Sequence, residues 1–120
     1  MTSPSSSAAA PAIIQVITTV GSEADAQRLA EHLIARKLAA CVQIDAAIQS
    51  VYEWKAQTCR DPEWRIVIKT SASHWEAVGR AVAEVHPYEL PELIGQPLPL
   101  VSPAYRDWVA AQVVGPSDPS

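Results

Sequence analysis

Apolar and polar positions alternate along this chain in two different periods. Ile13 to Val20 (IIQVITTV) is rich in β-branched residues and stops at Gly21, which reads as a buried strand. Ser22 then offers an N-cap, with Glu23 and Asp25 in the first turn, where acidic groups suit the helix dipole. Ala26, Leu29, Ala30, Leu33 and Ile34 follow at helical spacing, and Arg28, Glu31 and His32 fall on the opposite side, predicting an amphipathic helix to about Lys37. Ala39 to Ile44 is a short apolar strand. After Asp45-Ala46-Ala47 the period becomes two, with Ile48, Ser50, Tyr52 and Trp54 on one face and Gln49, Val51, Glu53 and Lys55 on the other.

Gln57 to Pro62 (QTCRDP) has turn composition, and Trp64 to Thr70 alternates again, so a long hairpin is predicted. Ser71 or Ser73 opens a second helix, Ser73-x-x-Glu76 having the form of a capping box. Its apolar stripe is Trp75, Val78, Val82 and Val85, and Pro87 ends it. Glu92 to Leu98 reads as an edge strand, because Pro97 cannot donate to a ladder. Ser102-Pro103 starts a third helix carrying Tyr105, Trp108, Val109 and Gln112.

The order β-α-β-β-α-β-α is that of an α+β, ferredoxin-like split βαβ fold: an antiparallel sheet, helices on one face, and an extra C-terminal helix. Two helices cover one sheet face, yet the strands are apolar or aromatic on both sides. The hairpin is also longer than so small a sheet needs. Both features predict self-association through the open face and the hairpin.

The composition narrows the function. Residues 1–11 and 115–120 are Ser, Ala, Pro, Gly and Asp-rich, reading as disordered tails around one domain at 12–114. The net charge of −4 without a Lys/Arg block argues against nucleic acid or an anionic membrane as partner. No apolar run spans a bilayer and no signal peptide is legible, while two cysteines do not make a disulfide framework. A reduced, cytoplasmic protein is expected. The four glycines form no phosphate loop, and no metalloprotease, nucleophile-elbow or zinc-finger spacing occurs, so no catalytic residue is assigned and a non-enzymatic role is expected.

The densest chemistry lies in His86-Pro87-Tyr88-Glu89-Leu90-Pro91-Glu92, an imidazole, a phenol and carboxylates on a backbone stiffened by two prolines. Two readings stand: a rigid helix-to-strand turn whose His86 caps the helix, or a borderline-soft metal ligand set of His86 with Glu89 and Glu92. Cys41 reads as a small buried hydrophobe or as a thiolate at a copper site. Lys69 reads as a salt-bridge partner of Glu53 or of the 86–92 carboxylates, or as an anion-binding lysine; Tyr52 and Trp54 read as interface packing or as pocket walls. His32 and His74 read as solvated.

From Ile14 to Val109 the chain resembles the CutA1 divalent-cation-tolerance family. The marks are Thr18-Thr19, Leu38-Ala39-Ala40-Cys41-Val42, Tyr52-Glu53-Trp54, Ile68-Lys69-Thr70, the 86–92 heptapeptide and Tyr105-x-x-Trp108. The resemblance implies a PII-like subunit in a homotrimer, with long hairpins at the interfaces. It also implies tolerance of divalent cations and copper binding in a cytoplasmic setting. Gln43 stands where the family usually has Asn, and Ala56 where it usually has Gly, a change expected to alter a hairpin bulge.

Read together, these features lead to a trimer binding a divalent transition metal such as Cu²⁺ between subunits, through His86, Glu89, Glu92 and Cys41, with no obligatory cofactor. The alternative is a PII-like signalling or interaction module holding a small anionic metabolite with Lys69, Tyr88 and Trp54.

Overall fold

β-Strand propensity at the start of the chain is matched by burial. β1 (Ile13–Val20) runs through the middle of a five-stranded antiparallel sheet, between β4 (Gln57–Ser71) and β5 (Ile94–Leu98). β2 (Cys41–Ile44) and β3 (Ile48–Trp54) both pair with β4, so the order is β2-β4-β1-β5 with β3 continuing beyond β2 along the same strand. The computed structural model describes residues 11–114; the tails predicted at 1–11 and 115–120 lie outside the described residues, apart from Pro11.

The helices are α1 (Glu23–Ala35), α2 (Trp75–Val85) and α3 (Pro103–Gln112). Ser22 caps α1 by accepting from the Asp25 amide, and Ser102 caps α3 through the Tyr105 amide. α1 closes with a Schellman pair, Leu38 N–H to Leu33 O and Lys37 N–H to Ile34 O, with Lys37 at φ 58°. The apolar stripes of α1 and α2 cover one sheet face: Leu29, Leu33, Val78 and Val82 pack with Val16, Val20, Ile66 and Ile68 in one fully buried cluster. Burying each of these side chains contributes about 1.5–3 kcal/mol. At the edge, Trp75 lies over Gly95, where an added Cβ would stand 2.8 Å from the indole.

The second face is partly covered. Ile13 and Val109 are buried outside the main cluster, and α3 packs against β4, so the last helix shields one end of this face. The Val114 amide donates to Lys37 O, tying the end of the described chain to the α1 terminus. His74, read as solvated, is buried instead. Its ring bridges Ser71 Oγ and Val114 O, fastening the C-terminal segment to the end of β4. With Ser71 so engaged and His74 at the N-cap of α2 without a side-chain cap bond, the predicted Ser73–Glu76 capping box does not form. His32 is likewise not simply solvated: it bonds Glu84, which Arg36 also holds at 2.6 Å, so α1 and α2 are joined on the surface.

The hairpin departs from expectation in two places. Gln57 to Pro62 is strand, not turn; the two-residue connection is Lys55-Ala56, at φ 52° and 66°. Both residues are left-handed, as a type I′ turn requires, so position 56 is a turn position and not a bulge. Pro62 is tolerated because β1 stops at the Val20–Trp64 pair, leaving that side of β4 unpaired from residue 63 downward. The bulge lies elsewhere. β2 pairs Ile44 with Ile66, and β3 resumes at Ile48 with Glu63, so Asp45, Ala46 and Ala47 stand opposite only Trp64 and Arg65. That extra residue reverses the faces: Val42 and Ile44 point to the helices, whereas Ile48, Ser50, Tyr52 and Trp54 point away from them.

A left-handed backbone costs an Ala about 1–2 kcal/mol that Gly does not incur, partly offset by the greater freedom glycine loses on folding. Ala56→Gly is therefore expected to raise stability by about 1 kcal/mol, read as a higher urea midpoint at unchanged m. A lower midpoint would contradict the turn assignment.

Candidate functional site

The reversal at residues 45–47 places the polar side of the hairpin against the segment that follows α2. Between them opens a cleft of about 610 Å³. Tyr52, Trp54 and Val51 form its hairpin wall; Tyr88, Glu89, Leu90 and Glu92 form the opposite wall; Thr19, Ser50 and Glu63 close the floor. Among the described residues, three carboxylates line it and no lysine, arginine or histidine does.

Glu63 is the node of the floor. It is only 9 % exposed, and both its oxygens are used: Ser50 Oγ donates to Oε1 at 2.7 Å and Tyr88 Oη to Oε2 at 2.7 Å. Among the described residues no cation pairs with it; two hydroxyl donors replace the lost water. Tyr88 reaches it by passing Gly21, whose missing side chain matters: an added Cβ would lie 3.1 Å from the phenol oxygen. Burial first, and then the Glu63 carboxylate, raises the Tyr88 pKa, so the phenol stays a donor. Nearby, Tyr52 donates to Asp61, and that bond, more than burial, pushes its pKa up to about 12.

His86 anchors the other end of the segment. Its Nδ1 accepts the Tyr88 amide at 3.1 Å, so the proton is on Nε2, which donates to Thr19 O at 2.9 Å and lies 3.2 Å from Thr18 Oγ1. The ring also meets Tyr88 edge-on, with centroids 4.9 Å apart. Burial, outweighing the Thr19 bond, lowers the His86 pKa and keeps the imidazole neutral. Its backbone amide caps α2 by donating to Val82 O.

The residues singled out in the sequence divide between two ends of the sheet. Glu89, Glu92, Tyr88 and Trp54 line the cleft, and His86 stands behind it with both nitrogens engaged. Cys41 and Lys69 pair with each other across β2 and β4 at the far end, where Tyr105 has its pKa raised, first by burial and then by Cys41. Lys69 donates to Gln43 Oε1 at 2.9 Å, not to Glu53 or an 86–92 carboxylate. Among the described residues of one chain, no three His, Cys, Asp or Glu side chains converge as a metal site. Among the described residues, Glu89 and Glu92 have no side-chain hydrogen-bond or ion-pair partner and line the cleft. Glu63 follows Asp61-Pro62, whose turn composition masks it, and its one sequence signal is its alternation with Trp64.

The fold and the cleft define a small α+β domain that carries its candidate site where an extended hairpin meets a proline-stiffened segment. A model of the CutA1 divalent ion tolerance protein family matches residues 14–112, and the chain belongs to that family. It is 43 % identical over 84 residues to a protein CutA homolog of Xenopus laevis, a match covering 70 % of this chain and 56 % of that protein. It therefore spans little more than half of that relative's length. Against the divalent-cation tolerance protein CutA of Thermus thermophilus the identity is 33 % over 94 residues, covering 78 % of this chain and 91 % of that one. The crystal structure of CutA1 from Oryza sativa matches with a TM-score of 0.85 at 34 % identity, covering 88 % of this chain and 96 % of that chain. No helix among the described residues is long and apolar enough to cross a membrane.

Two outcomes test this geometry. Tyr88→Phe leaves Glu63 Oε2 buried without a donor, and is expected to cost about 2 kcal/mol in urea unfolding; a loss under about 0.5 kcal/mol would mean that water replaces the phenol. The second concerns pH. The folded His86 pKa lies below its ordinary 6.5, so the unfolded state binds the proton more readily. This contribution is full above pH 6.5 and is lost as pH falls from there toward the lower folded value. Stability is expected to decline across that interval, with a shallower decline in His86→Gln. Identical slopes would remove His86 as the cause.

Proposed function

We propose that this chain is a homotrimeric, non-enzymatic, cytoplasmic divalent-cation-tolerance protein that takes up a divalent transition metal such as Cu²⁺ at its acidic cleft, completed by a neighbouring subunit. The observation that carries this reading is the pair of carboxylates, Glu89 and Glu92, that have no partner and no cationic side chain beside them among the described residues of the cleft. The names of the relatives, which speak of divalent-cation tolerance, agree with it. We read the strand order as the ferredoxin-like, PII-like arrangement. The unpaired side of β4 below residue 64 and the exposed Val51 of the hairpin support assembly through that element.

One chain alone does not fit a metal. His86 would become a ligand only by giving up the Tyr88 amide at Nδ1, Glu63 has both oxygens occupied, and Cys41 is at the other end of the sheet. Glu89 and Glu92 are the donors left, and further donors would come from the second subunit or from water. No obligatory cofactor is proposed. The anionic-metabolite alternative has less support, because Lys69 is absent from the cleft and three carboxylates are present.

Titration of Cu²⁺ into the reduced, assembled protein in a weakly coordinating buffer tests this. Saturable binding is expected, at least about tenfold weaker in the Glu89→Gln/Glu92→Gln variant, a loss of roughly 1.4 kcal/mol. His86→Ala is expected to change affinity less. Unchanged binding in the carboxamide variant would move the site elsewhere, and preferential loss in His86→Ala would show that the imidazole rearranges to bind.

A further inference from the structure

We infer that the cleft is shaped for an organic ammonium ion, a quaternary or alkyl ammonium group, and not only for a bare metal ion. This rests on the reading above that the cleft takes cations, and it names a class of cation which that reading does not. The first argument is the mismatch with a metal. A transition ion needs several donors converging at about 2.0–2.6 Å, and no three such side chains converge among the described residues. The second is size: about 610 Å³ is the scale of a small-molecule site and is many times the volume of one ion.

The third argument is the composition of the walls. Tyr52, Trp54 and Tyr88 are 43 %, 43 % and 37 % exposed, with apolar Leu90 beside them, so ring surface faces the cleft from both walls. Glu89 and Glu92 add negative charge, with no counter-ion among the described residues that line the cleft. A hydrated metal gains little from aromatic faces. An alkylated ammonium is weakly hydrated, packs its carbons on those faces, and is attracted by the ring quadrupoles within about 6 Å. The carboxylates supply charge without demanding coordination geometry. The lower wall is prearranged, because Tyr88 is locked by its bond to Glu63 and by the His86 contacts. An anion or a neutral apolar ligand would leave Glu89 and Glu92 desolvated and unpaired.

The test is a calorimetric titration of choline chloride into the assembled protein at low ionic strength, its mass checked beforehand. The neutral carbon isostere 3,3-dimethylbutan-1-ol is titrated alongside. Saturable choline binding is expected, with none for the alcohol. Trp54→Ala and Glu89→Gln/Glu92→Gln are each expected to weaken choline binding by about tenfold or more, and Trp54→Phe to retain most of it. Cu²⁺ binding is expected to survive Trp54→Ala. Absence of saturable choline binding, equal binding of the alcohol, or unchanged affinity in both variants would overturn the inference. If Cu²⁺ binds while choline does not, this inference alone fails; if neither binds, the cation reading of the cleft fails with it.

Discussion

Three residues opposite two, at Asp45-Ala46-Ala47, is the constraint on which the rest of the molecule depends. A strand with a strict period of two would keep its even positions facing the helices from Val42 through Trp54. That would drive Tyr52 and Trp54 toward the helix layer and put Gln49 and Glu53 on the other side. The single extra residue reverses the set. β4 can therefore serve two surfaces in succession: a fully apolar one through Ile66 and Ile68, and a polar, aromatic one through Glu63, Asp61 and Cys59. The Asp45 amide still donates to Arg65 O, and the Asp45 carboxylate holds the Arg65 guanidinium at 2.8 Å, so the break is fastened at its edge.

Glu63 turns that register into a site. A buried carboxylate without a cation needs donors, and it draws one from each wall: Ser50 from β3 and Tyr88 from the segment after α2. Those two bonds fix the distance between hairpin and segment. The segment is fixed again by His86, whose two nitrogens are satisfied by the Tyr88 amide and by Thr19 O. Imidazole and phenol thus support the cleft from behind, and the groups left to meet a ligand are the outer carboxylates and the ring faces.

Much of this was legible in the sequence. Periodicity reveals β1 and most of each helix stripe, although Ile34 and Trp75 stay exposed; Pro97 marks β5 as an edge strand, and Ser22 and Ser102 cap as their positions imply. The hairpin turn was not, because Lys55-Ala56 lacks the Asn or Gly that usually marks a type I′ turn, whereas Asp61-Pro62 imitates one. His74 was misplaced because its burial depends on Val114, a contact forty residues away. The 86–92 segment stood out as rigid and polar, but not how its members divide. Seven adjacent residues look like one ligand set until the backbone turns His86 toward β1 and leaves Glu89 and Glu92 on the cleft.

That division bears on what tolerance of divalent cations can mean at this site. Tight, selective coordination requires donors that are free and aimed at one point, and at this cleft the imidazole of His86 and the carboxylate of Glu63 are already engaged in structure. Whatever cation enters meets two exposed carboxylates, aromatic faces and solvent, an environment that selects by charge and shape more than by ligand field. A second subunit can change the donor count but not the partners of Glu63, since Ser50 and Tyr88 are held within the same chain. The chemistry of the cleft is then set by the outer carboxylates and by the hairpin that faces them. In the assembly proposed above, the position of that hairpin becomes part of the site's selectivity as well as of the protein's stability.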